Sequence, residues 1–324
     1  MKFGAHDIPV PLCLAPMEDV SDPPFRRLCR EMGADVVYTE FAHCEAVVRE
    51  IPSQCRKLLV SDDERPIGIQ LYGSTEGVMA AAAARAEAED PDFIDVNCGC
   101  WVKKIANRGD GAGLLRDLPK MGRVVAAVMR GTRLPVTVKT RLGWDHDSIV
   151  ILEAARMLED LGVRALTVHC RTRCQGYTGR ADWSWIGRIR EVSAIPLIAN
   201  GDITTPADLR TCLDLGADGV MIGRGAIHRP WVFRHLRHWL ETGEELPEPP
   251  LRERVALTAR HLVEHVAYHG APRGVFSFRK HYAGYLKGAP HIALLRRELV
   301  QLTEVGEILA RLAAYAAELP QDGE

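Results

Sequence analysis

What most narrows the folds open to this chain is a rhythm: short, continuously apolar runs recur along it, each followed by a stretch of helical periodicity. The runs span residues 12–17, 36–41, 66–72, 93–97, 135–141, 165–170, 196–200 and 219–222, eight in all. Helical patterns fill intervals between them at 22–32, 75–88, 121–130, 148–161, 182–191 and 205–215, several opened by a Ser, Thr or Asp able to cap the first turn. A strand apolar on both faces is buried on both faces, the condition of a parallel sheet covered by helices. Eight βα units in succession close most readily as a (β/α)8 TIM barrel. An open doubly wound sheet is the alternative. It is disfavoured because polar residues follow nearly every run, as around one rim, and a Gly-Ala-Asp turn introduces the second and eighth runs. The predicted architecture is therefore α/β: a barrel over 1–241, a proline- and acid-rich linker over 242–250, and a helical unit over 251–324.

The active site of such a barrel lies at the carboxyl ends of its strands. The polar residues there are Pro16-Met17-Glu18, Glu40, Gln70, Asn97 with Cys100, Lys139 with Arg141, His169, Asn200-Gly201-Asp202, and Gly223-Arg224. Each alone has an ordinary structural explanation: Gln70 or His169 as a satisfied core group, Lys139 as the partner of Glu40 or an aspartate. Their recurrence at the same end of successive strands points instead to one site. Lysine and arginine beside amides and an imidazole suit a large anionic cofactor better than a metal. Loops 198–203 and 221–226 add glycine-rich backbone and Arg224 where barrels hold a phosphate, so the phosphate of flavin mononucleotide (FMN) fits there. Gln70 and Lys139 would then reach the pyrimidine edge of its ring. The run 109–113, Gly-Asp-Gly-Ala-Gly, follows no strand directly, matches no full dinucleotide fingerprint, and reads as a turn entering the next helix.

Cys98 and Cys100 flank Gly99 just beyond the fourth run. A thiol on such a loop can donate a proton, and Lys103 and Lys104 behind it favour thiolate, although a lone cysteine is more often inert and buried. The nine cysteines are odd in number and scattered through apolar runs, and the first residues lack the apolar core of a signal peptide, which fits a reducing cytoplasm. No apolar stretch reaches membrane-spanning length. Cys44, Cys98, Cys170 and Cys174 all follow strand ends, but no Cys-x-x-Cys pair occurs, so no metal or iron–sulfur centre is expected from them.

The net charge of −2 conceals an asymmetry. Between 251 and 300, nine cations oppose Glu253, Glu264 and Glu298, a surplus of +6 that leaves −8 for the rest of the chain. Arg279, Lys280, His281, Tyr282, Tyr285 and Lys287 interleave cations with aromatics, as on a surface that reads RNA backbone and shape, with an ordinary solvated helix face as the alternative. The amphipathic stretch 303–312 is expected to pack within the bundle.

Several stretches carry a resemblance. They are Leu14-Ala-Pro-Met-Glu-Asp, Ile69-Gln-Leu-Tyr-Gly, Asp95-Val-Asn-Cys-Gly-Cys, Val138-Lys-Thr-Arg-Leu-Gly-Trp-Asp, Thr167-Val-His-Cys-Arg-Thr-Arg, Tyr177-Thr-Gly-Arg-Ala-Asp-Trp, Asn200-Gly-Asp-Ile, Ile222-Gly-Arg-Gly-Ala and Phe278-Arg-Lys-His-Tyr-Ala-Gly-Tyr. Nearly end to end the chain resembles the tRNA-dihydrouridine synthases, most of all their B-type bacterial branch. The resemblance implies an FMN-binding barrel with a helical RNA-binding domain, and NADPH-dependent reduction of the uracil C5=C6 bond in tRNA, with NADH as the alternative reductant. It implies that Pro16, Met17 and Glu18 line the flavin and that Gln70 and Lys139 hold its ring. Asn200, Gly201, Asp202, Gly223 and Arg224 would hold ribityl and phosphate, and His169 would face flavin or base. Cys100 would be the acid, Asn97 and Arg141 would contact the uracil, and Arg279, Lys280, Tyr282 and Lys287 would contact the RNA. Neither a membrane nor an obligate protein partner is implied. Trp101 stands where the family carries proline, so either the loop is freer, the indole packs on the extruded base, or it anchors the loop. Two rival readings remain: an FMN barrel reducing a free pyrimidine or small enone, which the basic tail speaks against, and a non-catalytic RNA-binding barrel, which the joint presence of Gln70, Lys139, Arg224 and Cys100 speaks against.

Overall fold

The computed structural model describes residues 1–319, so the end of the helical unit predicted over 251–324 lies outside the described residues. Eight parallel strands form the centre: β1 Leu12–Leu14, β2 Val37–Tyr38, β3 Ile67–Tyr72, β4 Phe93–Cys98, β5 Val136–Arg141, β6 Leu166–His169, β7 Leu197–Asn200 and β8 Gly219–Ile222. They pair in the order β1-β8-β7-β6-β5-β4-β3-β2. The ladder returns on itself where Cys13 of β1 bridges Val36 at the foot of β2, with the Leu14 N–H donating to Val36 O at 2.9 Å. That bridge closes the cylinder and excludes the open doubly wound sheet.

Each predicted run carries a strand, but β1 and β2 stop short of residues 17 and 41. The chain leaves the ladder there to build the rim; Asp19 takes a φ of 56°, and Ala42–His43 rejoins the edge of β3. At the opposite end the Gly-Ala-Asp turns show their use. Gly33 and Gly216 adopt φ of 99° and 96° as their helices end, and the following Asp35 and Asp218 accept the Leu12 and Leu197 N–H groups at 2.7 and 2.8 Å. Asp92 does the same for Ile67 at 2.7 Å. Three strand-end donors are thus satisfied where the ladder runs out.

Helices α1 Pro23–Glu31, α2 Glu76–Glu87, α3 Leu118–Gly131, α4 Ile151–Asp160, α5 Ser184–Arg190, α6 Pro206–Asp214 and α7 Val232–Thr242 cover the barrel. Asp22, Asp117 and Thr205 cap α1, α3 and α6 by accepting an N–H three residues on, each with proline in the first turn. Inside the barrel, Cys13, Val36, Tyr38, Phe93, Ile198 and Met221 pack together, and Phe3 from an N-terminal hairpin, Lys2–Phe3 with His6–Asp7, joins them. Phe93 fits because its neighbour is glycine: a Cβ on Gly68 would sit 2.2 Å from its ring.

Beyond Gly243, which takes a φ of 77°, and the segment 244–250, come α8 Leu251–His269, α9 Arg273–Tyr285, α10 Ile292–Leu299 and α11 Val305–Glu318. Helix α8 packs on α1, and α9 packs on the short helix Arg224–His228 at the barrel rim. The second contact is close, since a Cβ on Gly284 would lie 2.2 Å from His228 Cα. No helix among the described residues is long and apolar enough to cross a membrane.

Candidate active site

The carboxyl ends of the strands open into a cavity of about 830 Å³, a size suited to a cofactor. Pro16, Met17, Glu18, Asn97, Cys100, Lys139, Arg141, His169, Asn200, Gly201, Asp202, Gly223 and Arg224 all line it. Strand register explains the convergence. Asn97 of β4 pairs with Lys139 of β5, Arg141 of β5 with His169 of β6, and His169 with Asn200 of β7, so alternate residues of four neighbouring strands share the upper layer.

Gln70 lies one layer down. It is fully buried, its amide donates to Asp95 Oδ2 at 2.6 Å, and its carbonyl accepts from Asn97 Nδ2 at 2.8 Å. It therefore supports the cavity floor through Asn97 instead of walling the cavity, which differs from the sequence expectation. Burial raises the Asp95 carboxyl to about 6, against the lowering effect of Thr137 and Gln70. Glu40, also expected at the rim, accepts the Asp19 N–H at 2.6 Å and braces the 16–21 loop.

The Cys100 loop is fixed from both sides. Asn97 Oδ1 accepts the N–H groups of Gly99 and Cys100 at 3.0 and 2.9 Å. Arg141, almost fully buried, donates Nε to Gly99 O at 3.0 Å and Nη1 to Thr172 O and Gly176 O, both at 2.9 Å. Arg141 thus ties the cysteine loop to the loop after β6. Burial raises the Cys100 thiol above its usual 9.0, outweighing the Val102 N–H and the Arg141 charge. Lys103 and Lys104 stand exposed on the short helix Lys103–Ala106, so the thiolate that they were expected to favour gives way to a protonated thiol. A protonated thiol is the form that an acid requires.

The other wall is cationic. Lys139 donates to Asn200 Oδ1 at 2.9 Å and makes no ion pair among the described residues. Part of its side chain meets the cavity while the ammonium is enclosed, and burial together with Arg141 lowers it to about 8. Burial lowers Arg141 to about 10. His169 Nε2 lies 3.3 Å from Arg171 Nη1, and because a guanidinium cannot accept, Nε2 must, leaving the ring proton on Nδ1. Burial, then Arg141 and Lys139, keep this imidazole neutral, its pKa well below the usual range. Asp202 joins Arg171 to Arg224, receiving the latter at 2.9 Å, and stays ionised because those guanidinium groups and the Ala181 N–H outweigh its burial. Lys139, Arg141 and Arg224 thus line the cavity together with Asp202, which already pairs Arg224 and the buried Arg171, and with Glu18, which is paired with Lys57. Arg141 is buried and Lys139 largely so; neither has a carboxylate partner among the described residues, and such charges are costly unless an anion joins them.

The backbone is shaped for close approach. Gly201 has a φ of 114°, and a Cβ there would sit 2.7 Å from His169 Cδ2. Gly223 and Gly225 present bare backbone on either side of Arg224. Arg224 Cζ stacks 4.6 Å from the Tyr177 ring centroid, and Trp101 meets Tyr177 edge-on at 5.4 Å. Trp101 also abuts Gly176, whose added Cβ would lie 3.1 Å from the indole, so the indole anchors the loop in this structure.

Sequence reasoning missed Asp95, Arg171 and Tyr177 as site residues. The first two follow a readable signal: each lies two residues from a predicted site residue, Asp95 before Asn97 and Arg171 after His169, and in a strand that spacing shares a face. Tyr177 sits on a loop between Gly176 and Gly179, where only the fold brings it to Arg224. The extra thiols are otherwise occupied: Cys44, Cys98 and Cys170 are buried in the core, and Cys174 is exposed.

The predicted RNA surface needs a correction. Phe278, His281, Tyr282 and Tyr285 are all buried, because their spacing puts them on the face of α9 that packs inward. Tyr282 is therefore a core residue and not an RNA contact. Lys280 reaches back to the Asp19 carbonyl at the cavity rim, Arg279 lies over Phe276, and Lys287 is exposed.

Known proteins share this sequence and architecture. Residues 13–319 match the family model described as dihydrouridine synthase (Dus). The tRNA-dihydrouridine synthase B of Pseudomonas aeruginosa is 36% identical over 324 residues, covering 100% of this chain and 98% of that protein. The probable tRNA-dihydrouridine synthase 1 of Synechocystis sp. is 40% identical over 311 residues, covering 95% and 86%. Among solved structures, the old yellow enzyme homologue from Zymomonas mobilis superposes with a TM-score of 0.52 at 16% identity, covering 77% of this chain and 93% of that one, a likeness of fold. With a family match over nearly its whole length and full-length relatives above one-third identity, this chain belongs to the dihydrouridine synthase family.

Proposed function

We propose that the chain is a flavin-dependent tRNA-dihydrouridine synthase that reduces the C5=C6 bond of a uridine in tRNA, with FMN as its cofactor and NADPH as reductant. The names of its full-length relatives support the reaction, and one observation carries the site: a protonated Cys100 thiol on the wall of a cavity lined by Lys139, Arg141 and Arg224. The residues present fit FMN, since the surplus cations call for an anion and the Gly201 and Gly223 backbone leaves room for a ligand to approach. Gly223, Gly225 and Arg224 would hold the phosphate, Asn200 and Asp202 the ribityl chain, and Lys139 with Asn97 the pyrimidine edge, supported from below by Gln70. The chemistry a bound reduced flavin would supply is hydride, to uracil C6.

Cys100 then gives its proton to C5, and the Asn97 and Arg141 bonds to its loop hold Sγ in place while it does so. His169, neutral with its proton on Nδ1, serves as a hydrogen-bond donor and not as a second acid. The uridine must leave its stack to enter, which costs a few kcal/mol and less in a loop already strained. Arg279, Lys280 and Lys287 would meet the RNA backbone, and NADPH would use the same cavity mouth in a separate half-reaction. A free-pyrimidine reductase would have no use for a helical unit seated against the phosphate loop, as α9 is. The test is mass spectrometry of tRNA from cells lacking the gene. One uridine should be about two mass units lighter than in the parent and be restored by the wild-type gene but not by Cys100→Ala. Unchanged tRNA from the deletion strain would refute the assignment.

A further inference from the structure

The seam between barrel and helical unit contains a cluster that the proposed reaction does not use. His261, His265 and His269 recur every fourth residue along α8 and face Asp22, the N-cap of α1. Asp22, His261 and His265 are at most 1% exposed. One Asp22 oxygen, Oδ1, accepts the Phe25 N–H at 3.0 Å; the other, Oδ2, lies 2.9 Å from His265 Nδ1 and 2.7 Å from His269 Nε2.

Two of these polar atoms have no hydrogen bond. Among the described residues His261 Nε2 has no partner, and His265 Nδ1, though close to Asp22, is out of line for one. Their other ring nitrogens are held by hydroxyls: His261 Nδ1 by Tyr285 OH at 3.0 Å, and His265 Nε2 by Ser277 Oγ at 2.7 Å. This is how metal-binding imidazoles are oriented, one nitrogen fixed from behind and the other aimed at the ion. We propose that Asp22, His261 and His265 bind a divalent ion of the zinc class, with His269, beside Asp22, as the nearest side chain for a fourth position. One ligand atom from each of the three lies within 4.8 Å of the others. A tetrahedral zinc with 2.0–2.2 Å bonds holds its ligand atoms about 3.4 Å apart, so the 2.9 Å between Asp22 Oδ2 and His265 Nδ1 would open slightly while His261 closes in from within 4.8 Å. Two imidazoles and a carboxylate are donors suited to zinc and not to magnesium. Phe25 and Phe278 pack on the His261 ring, which closes the site to water as in a structural metal centre. Its role is to fasten the helical unit to the barrel beside the rim.

The experiment uses full-length, flavin-loaded protein made without a metal-binding tag in zinc-supplemented medium. Elemental analysis should give about one zinc per chain. Chelation should lower the melting temperature by several degrees, one equivalent of Zn²⁺ should restore it, and Mg²⁺ should not. Asp22→Asn keeps the cap, because asparagine caps as well as aspartate, and should bind zinc at least a hundredfold more weakly while retaining its flavin. Cys174→Ser should keep the metal, since the exposed thiol is no part of the site. Wild-type protein with under a tenth of an equivalent of zinc and no thermal response to added zinc would overturn the proposal. So would full zinc retention in both Asp22→Asn and His265→Ala, or loss of zinc in Cys174→Ser.

Discussion

Replacing Lys139 with methionine should move stability and cofactor affinity in opposite directions. Methionine keeps the length of the side chain and removes the charge. In the flavin-free protein the enclosed ammonium titrates at about 8, against 10.5 for an unconstrained lysine. Below pH 8 both folded and unfolded chains carry the proton, and the folded chain bears the full penalty; between 8 and 10.5 only the unfolded chain does, so stability rises with pH across that window. Two and a half units correspond to about 3 kcal/mol, an upper value because water in the cavity solvates part of the side chain. Lys139→Met removes that penalty and loses the bond to Asn200, worth about 1.5 kcal/mol, leaving a net gain of about 1–2 kcal/mol at pH 7. For a chain of 324 residues that raises the melting temperature of flavin-free protein by roughly 1.5–3 °C and removes the lysine-dependent rise between pH 8 and 10.5. FMN should bind about ten- to a hundredfold more weakly in a fluorescence titration, because a charge-assisted hydrogen bond to its ring is gone. A variant that melts at or below the wild type while binding FMN equally well would refute the role given to Lys139.

Other perturbations separate the remaining roles. Cys100→Ala should slow single-turnover oxidation of the reduced enzyme by tRNA about a hundredfold or more with flavin binding unchanged. The Cys100-dependent rate of flavin-saturated wild type should persist past pH 9, since burial raises this thiol and the acid is lost only as pH climbs through that raised value; a fall already complete by pH 8 would count against it. Asn97→Ala strips the acceptor from Gly99 and Cys100 and the donor from Gln70, so it should cost about 1–3 kcal/mol by denaturant titration and depress turnover more than flavin affinity. Tyr282→Phe should leave tRNA affinity unchanged and stability equal or slightly higher, because its buried hydroxyl has no partner; a tenfold loss of tRNA binding would return Tyr282 to the RNA surface.

The barrel could be read from the sequence because parallel strands buried on both faces announce themselves as unbroken apolar runs, as at 93–97 and 196–200. Its closure could not, since it depends on the Cys13–Val36 bridge and a hairpin of two-residue strands carrying Phe3, features too short to leave a pattern. Most rim residues were legible because strand ends place them there. The depth of Gln70 was not: Asp95, hidden two residues before Asn97, holds it below the floor. Tyr282 is buried, although its neighbours Arg279 and Lys280 give the segment the composition of an RNA-binding surface. Residues 278, 281, 282 and 285 follow the helical spacing of a buried stripe, and that spacing outranks the composition of the segment. Cys100 lines the cavity, where its place beyond β4 puts it, but its protonation state follows from enclosure by Arg141 and the loop after β6, which sequence distance to Lys103 does not report.

The most direct measurement is a crystal structure of the purified protein with its flavin bound. The ring should lie across the barrel mouth with its pyrimidine edge on Lys139, the phosphate on Gly223 and Arg224, and Cys100 Sγ facing the ring across a gap wide enough for a uracil. A flavin bound elsewhere, or a Cys100 thiol turned away from the space above the ring, would contradict the site described here.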